Sequence, residues 1–173
     1  RCWSFGDDGS WCAILPLLPS SSNAAIPSRR KCLRSVTELS WSAIRRLVHE
    51  RANGRCEYCH TWEFNTGQTM HVEHIDPAAG DGPANLALAC PSCNLSKGAA
   101  TTGLDAETGK VVGLFNPRIH SWGDHFEWIE GGLQVRGSTP VGRATVERLR
   151  MNQARIVRAR QNWLIAGTHP SSD

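Results

Sequence analysis

Four cysteines form two pairs, Cys56 with Cys59 and Cys90 with Cys93, and 30 residues separate the pairs. Two intervening residues let both thiolates of a pair face one ion, and a second pair completes the tetrahedron that zinc prefers. A redox function would need only one such pair, and two pairs by coincidence are improbable in a chain of 173 residues. The spacing therefore predicts a structural zinc site.

A second ligand set must be weighed, because Cys56 and Cys59 are followed by His71 and His74 much as in a zinc finger with two cysteines and two histidines. Two residues separate these histidines, where such a finger has roughly three to five. They also lie in the strand-like stretch MHVEHI rather than on a helix. This alternative leaves the second cysteine pair without a function.

The total cysteine count and the hydropathy pattern bear on the compartment. Seven cysteines are an odd number, which favours a reducing, cytoplasmic compartment over a disulfide-stapled secreted fold. No apolar run approaches the roughly 20 residues that a membrane helix needs, so we expect no membrane partner.

Apolar spacing and capping residues predict the elements that position the cysteines. Trp41, Ile44, Leu47 and Val48 recur at helical spacing after a capping Ser40. The sequence predicts a helix over 41–53, short strands over 70–75 and 85–89, and a short helix from Pro91 to Gly98.

The second half of the chain predicts further elements. Residues 126–130 and 133–136 flank Gly131-Gly132, which indicates a hairpin with a two-residue turn. From Thr139 and Pro140 the pattern is helical, and Asn152 marks a point where the helix could divide. By contrast, residues 1–36 show no sustained periodicity and have a linker composition in part, so we expect a poorly ordered leader.

Three stretches between and around the cysteine pairs are similar to one known family. HVEHIDP at 71–77, NLALACPSC at 85–93 and NLSKG at 94–98 together resemble the HNH endonucleases, and the later stretches LFNPR and GRATV resemble the tails of small bacterial members. The resemblance implies an α+β protein with a ββα-metal core over 37–100. An extension over 101–173, a hairpin followed by helices, would pack on it.

The resemblance also implies functions for individual residues. His74 falls on the general base, and Glu73 and Asn94 fall on the ligands of a catalytic Mg²⁺ or Mn²⁺. Asn85 falls on the middle asparagine, whose amide would orient the histidine and hold the loop between the strands. The implied reaction is hydrolysis of a DNA phosphodiester, with the four-cysteine zinc serving structure only.

Basic charge is concentrated near the C-terminus. The net charge is only +3, but residues 139–166 carry six arginines and one acid. Beside a nuclease motif this favours contact with the DNA backbone, for which the candidates are Lys97, Arg143, Arg148 and Arg155. The alternatives are a solvated arginine-rich face, a non-catalytic zinc module that binds nucleic acid, and a zinc-stapled protein-interaction domain.

Overall fold

A computed structural model describes residues 39–170, together with the backbone of two short antiparallel strands, β1 (Trp3–Phe5) and β2 (Trp11–Ala13). The chain divides into two compact units, Arg1–Glu38 and Leu39–Asp173. The prediction of a poorly ordered leader over 1–36 lies outside the described residues. The architecture below is that of the second unit.

Helix α1 (Trp41–Arg51) opens this unit, because its sequence supplies both the cap and an apolar stripe. The Ser40 hydroxyl accepts a hydrogen bond from the Ala43 amide at 3.3 Å, and Ile44 and Val48 are buried. At the end, Gly54 has a φ of +64°, a conformation that glycine adopts without a steric penalty. The predicted helix is confirmed and ends at Arg51.

A ββα unit follows and contains the residues of interest. Strand β3 (His71–His74) pairs antiparallel with β4 (Leu86–Ala89), with His74 opposite Leu86. Every residue of β4 is buried, so one side of the unit is core. Helix α3 (Pro91–Lys97) then begins with proline in its first turn and ends at Gly98, as its sequence predicts. The α+β class is confirmed.

Beyond α3 the described part of the chain adds two hairpins and three helices to the core. Between the cysteine knuckle and β3 lies the single turn α2 (Glu63–Thr66). The later elements are β5 (Thr102–Asp105), β6 (Lys110–Gly113), α4 (Trp122–His125), β7 (Phe126–Ile129), β8 (Gln134–Gly137), α5 (Pro140–Arg148) and α6 (Ala154–Ile165). The β5–β6 hairpin was not predicted.

The predicted β7–β8 hairpin is present, but the prediction of a two-residue turn is wrong. Ile129 pairs with Gln134, so four residues, not two, connect the strands. Both central glycines have positive φ, yet they belong to a 3₁₀ turn that begins at Glu130. The connection has four residues because the 3₁₀ turn already begins at Glu130 and Leu133 precedes the first residue of β8. The glycine pair alone does not predict this longer turn.

Asn152 explains the division between α5 and α6. Its side chain donates to the Val135 carbonyl at 2.8 Å and accepts from the Val135 amide at 2.9 Å, so it completes the hydrogen bonding of β8. The later elements are also tied to the first half of the unit, since the Trp122 indole donates to the Tyr58 carbonyl at 2.9 Å. No described helix combines the length and apolar composition that crossing a bilayer requires.

Candidate functional site

The four cysteine sulfurs form one buried cluster. All of them lie within 4.8 Å of one another, and the Sγ atoms of Cys59 and Cys90 are 3.7 Å apart. Four sulfurs at a zinc–sulfur bond length of about 2.3 Å would be separated by about 3.8 Å. The cluster therefore fits a tetrahedral metal ion, and the predicted ligands Cys56, Cys59, Cys90 and Cys93 are brought together.

Local structure explains why the sulfurs converge. Cys90 caps α3, where its sulfur accepts a hydrogen bond from the Cys93 amide at 3.4 Å. Cys56 and Cys59 lie on a turn in which the His60 amide donates to the Cys56 carbonyl at 2.9 Å. Each pair therefore bends around its own backbone turn, and the Glu57 amide of the first turn donates to the Leu88 carbonyl of β4 at 2.8 Å, which joins the first turn to the strand that precedes Cys90.

The ionisation of the cluster supports a cationic occupant. Burial raises the pKa of Cys56, and hydrogen bonds from the other sulfurs raise the pKa of Cys93. Cys59 is the exception, because hydrogen bonds from the other three cysteines lower its pKa. Since the thiolate is the form that binds metal, full ionisation of this cluster requires a cation among the sulfurs. The alternative set with His71 and His74 is not supported, because the metal-binding group contains only the cysteines.

Glu73 is the buried acid of the adjacent strand. Its residue is 5% exposed, the Tyr58 hydroxyl donates to one carboxylate oxygen, and the Lys97 ammonium lies 2.9 Å from the other. Burial raises the pKa of Glu73, whereas both partners act in the opposite direction. Glu73 is therefore held in place by a cation and a hydroxyl of the protein itself.

Lys97 is buried and paired within the protein, although the sequence predicts it as a DNA contact. It is neither solvated nor open to a phosphate, since the residue is 1% exposed and its ammonium also donates to the His74 carbonyl at 2.8 Å. The end of α3 packs against β3, and the burial of Glu73 there requires a positive partner. The prediction of Lys97 as an accessible DNA contact is wrong for this reason.

His74 ends β3 and reaches solvent. Its side chain is 35% exposed, and its Nε2 atom lies 2.8 Å from Oδ1 of Asp81, an acid in the loop between the strands. A carboxylate at this distance fixes the orientation of the ring. Asp81 was not recognised in the sequence, because a surface acid in a glycine-rich loop carries no signal of the histidine that it meets.

Asn85 holds the loop that carries Asp81. Its amide donates to the carbonyls of Asp76 at 2.7 Å and Gly80 at 2.8 Å, and its side-chain oxygen accepts from the Asp76 amide at 2.9 Å. The asparagine thus closes the loop at both ends. Its influence on His74 runs through the loop and Asp81.

One cavity brings together three of the four predicted catalytic residues, and Asn85 is not among the residues that line it. Glu73, His74 and Asn94 all line a cavity of about 490 Å³ between the end of β3 and α3. Adjacent strand residues point to opposite faces in a regular strand, yet Glu73 reaches this cavity from the core and His74 from the surface. A carboxylate, an amide and an imidazole around one cavity are groups that can hold a divalent ion and move a proton.

The predicted arginines have three different environments. Arg143 contacts Asp105 through two nitrogens at 2.7 and 2.9 Å and Glu107 at 2.9 Å, and it holds the pKa of Asp105 well below its usual range. It is therefore an ion-pair residue rather than an open cation. Arg148 and Arg155 are exposed, although Arg148 also donates to the Lys97 carbonyl at 3.0 Å.

Comparison with known proteins identifies the segment that contains these sites. Residues 56–100 match the HNH endonuclease family, and no curated protein and no solved structure matches the chain. The matched segment spans both cysteine pairs, β3, β4 and α3. The resemblance predicted from the three stretches is confirmed over these residues.

Proposed function

We propose that this chain is a metal-dependent endonuclease that hydrolyses DNA phosphodiester bonds, with His74 as the general base. The observation that carries the proposal is the cavity lined by His74, Glu73 and Asn94 within the segment similar to HNH endonucleases. The other groups around the cavity support a distinct function for each of the three residues.

His74 would take a proton from the water that attacks phosphorus. Imidazole is the side chain most often used as a general base, because its unprotonated ring nitrogen accepts a proton. The contact of Nε2 with Asp81 leaves Nδ1 as the nitrogen available to water. Asp81 would orient the ring and stabilise the positive charge that the ring acquires.

Glu73 and Asn94 would hold the catalytic divalent ion, and their oxygen donors fit Mg²⁺ or Mn²⁺. Such an ion neutralises charge on the scissile phosphate and on the departing oxygen. Each oxygen of Glu73 already has one partner, but a carboxylate oxygen accepts more than one contact. Lys97 lowers the negative charge available there, so we expect weak binding of the ion.

The four-cysteine cluster would hold a structural zinc ion. Four buried thiolates fill a tetrahedral ion and leave no position for water. Cys56 and Cys59 lie on the turn that contains Tyr58, and Cys90 and Cys93 lie at the start of α3. Its function would be to fix the walls of the cavity.

Arg148 and Arg155 would contact the DNA backbone. Both are exposed. Arg148, at the end of α5, donates to the Lys97 carbonyl at the end of α3, and Arg155 on α6 lines a cavity together with residues of α3. Phosphate contacts of this kind add affinity without sequence preference and weaken as salt rises. Arg143 and Lys97 are unsuitable because their charges are paired within the protein.

A second candidate function is a non-catalytic zinc module that binds nucleic acid. The specific observation in its favour is the ion pair between Glu73 and Lys97, which neutralises the proposed metal ligand. In this case the cysteine cluster and the exposed arginines would keep their functions. The cavity would bind no catalytic ion.

Plasmid cleavage in Mg²⁺ or Mn²⁺ distinguishes the two functions. We expect nicking by the wild-type protein and a loss of about 10²- to 10⁴-fold in His74→Ala, the contribution typical of a general base. The matched control is His71→Ala, which removes an exposed histidine from the same strand. Unchanged cleavage by His74→Ala contradicts the proposed mechanism, and salt-sensitive binding without any cleavage supports the second function.

A further inference from the structure

Arg160 is a buried cation on α6 that the proposed function does not use. The residue is 0% exposed, and one guanidinium nitrogen donates to the Leu133 carbonyl at 3.0 Å and to Asn152 Oδ1 at 3.2 Å. Its Nε and Nη2 atoms are buried without a hydrogen-bond partner among the described residues. Two guanidinium nitrogens without a partner on a buried charge are costly, so the position needs a compensating interaction.

The cysteine cluster is the negative group that faces Arg160. Burial lowers the pKa of Arg160, whereas all four cysteine sulfurs act in the opposite direction. Arg160 also lines one cavity of about 470 Å³ together with Cys59, Cys90 and Cys93. Arg160 therefore shares a cavity with three of the four cysteines, and its charge interacts favourably with all four sulfurs.

We propose that Arg160 is the counter-ion of the four-cysteine metal site, so that the C-terminal helix is part of the metal centre. Four thiolates around one divalent ion carry an excess of two negative charges in a buried setting, and a fixed cation compensates part of that excess. Outer groups of this kind typically change metal affinity by about 10- to 100-fold. The inference does not depend on DNA cleavage.

A purely structural function for Arg160 is the competing explanation. Its hydrogen bonds join α6 to the end of β8, and its guanidinium carbon lies 5.1 Å from the centre of the Trp128 ring. If these contacts were its whole function, zinc affinity would depend on the hydrogen bonds of the guanidinium and not on its charge. Lysine and glutamine at this position separate the two explanations, because only lysine keeps the charge.

The test measures zinc affinity of the full chain by competition with a chromogenic chelator. We expect Arg160→Gln to weaken zinc binding by about 10- to 100-fold and Arg160→Lys to stay within about threefold of wild type, because the charge is kept. Arg158→Gln is the matched control, because it removes an exposed arginine from the same helix. Wild-type affinity in Arg160→Gln, or equal losses in the lysine and glutamine variants, would overturn the proposal.

The lysine variant keeps the test decisive if Arg160→Gln does not fold. Arg160→Lys loses the planar guanidinium, but it keeps a positive charge at this position. Zinc affinity within threefold of wild type then supports the counter-ion, and a loss of tenfold or more contradicts it. In either case the measurement is zinc affinity, so a failure of the wild-type protein to cut DNA contradicts the proposed nuclease and does not bear on this inference.

Discussion

The cysteine cluster and the His74 cavity lie in one short segment, but they are built differently. The cluster consists of four identical groups, all buried, and its charge is balanced only when a cation joins it. The cavity combines a buried acid with a histidine that is 35% exposed, and Lys97 already supplies its cation. The first region resembles a protein core, whereas the second keeps a charged acid and an open histidine side by side.

This difference separates stability from chemistry within the segment. Metal binding at the cluster is coupled to folding, because a preformed set of sulfurs does not exist in the unfolded chain. In the cavity, by contrast, the side chains are held by hydrogen bonds and ion pairs that do not require a metal ion. We therefore expect changes in the cluster to abolish the fold and changes around the cavity to have graded effects.

The largest expected effect is loss of the structural metal. Cys90→Ser removes one ligand, while the serine hydroxyl can still cap α3, so we expect the variant to lose its bound zinc and most of its cooperative thermal transition. Circular dichroism and zinc content measure this outcome. Treatment of the wild-type protein with a strong chelator should have the same effect, and added zinc should restore the fold.

Cys32→Ser is the matched control for this prediction, because Cys32 belongs to neither of the two cysteine pairs in the sequence. It should keep one zinc ion per chain and a wild-type transition. A chelated protein that retains its fold would remove the distinction between the two regions, because the cluster would then be dispensable.

The second effect in size comes from the ion pair beneath the cavity. Lys97→Met leaves Glu73 buried without its cation, and removal of one partner of a buried pair costs about 3–5 kcal/mol. Chemical denaturation measures the loss in the free energy of unfolding. Lys110→Met is the control, because it removes an exposed lysine from β6 and should cost little.

A double variant sharpens this prediction. Glu73→Gln combined with Lys97→Met removes both charges, so we expect it to be more stable than Lys97→Met alone. If the two losses simply add, the pair contributes no coupling and Lys97 is a packing residue. In that case charge pairing would contribute less to the cavity than its contacts indicate, and the cavity would differ less from the cysteine cluster.

The two regions also differ in how far the sequence predicted them. The paired spacing of Cys56 with Cys59 and of Cys90 with Cys93 determines their convergence almost locally, because each pair lies on one turn. The caps of α1 and α3 follow from Ser40 and from the Pro91–Gly98 pattern in the same local way. Local chemistry therefore accounts for most of this region.

The partners around the cavity depend instead on tertiary structure. Tyr58 lies within the first cysteine pair, but nothing in its spacing indicates that its hydroxyl meets Glu73 15 residues later. Lys97 and Arg160 read as solvated charges on helical segments, and both are buried. Burial of a charge is decided by which element covers it, and a single sequence carries no pattern for that contact.

Asn85 should have an intermediate effect. Asn85→Ala removes three hydrogen bonds that close the loop before Asp81, so we expect a loss of about 1–2 kcal/mol in stability and a larger relative loss of cleavage. Asn65→Ala is the matched control, because Asn65 makes two hydrogen bonds to Thr168 and does not line the His74 cavity. Equal losses of cleavage in both variants would show that the loop has no special function.

The smallest expected effect is at Asp81, and it tests whether the cavity is tuned by its surface loop. Asp81→Asn keeps a hydrogen-bond acceptor for His74 but removes the charge that stabilises a protonated ring, so cleavage should fall by about 10-fold, less than for loss of the base itself. The fold should be unaffected, because the Asp81 side chain is 77% exposed. Asp124→Asn makes the same charge change at another exposed site and should cleave normally. If Asp81→Asn and Asp124→Asn cleave alike, His74 needs no orienting carboxylate, and the cavity depends only on the residues of β3 and α3.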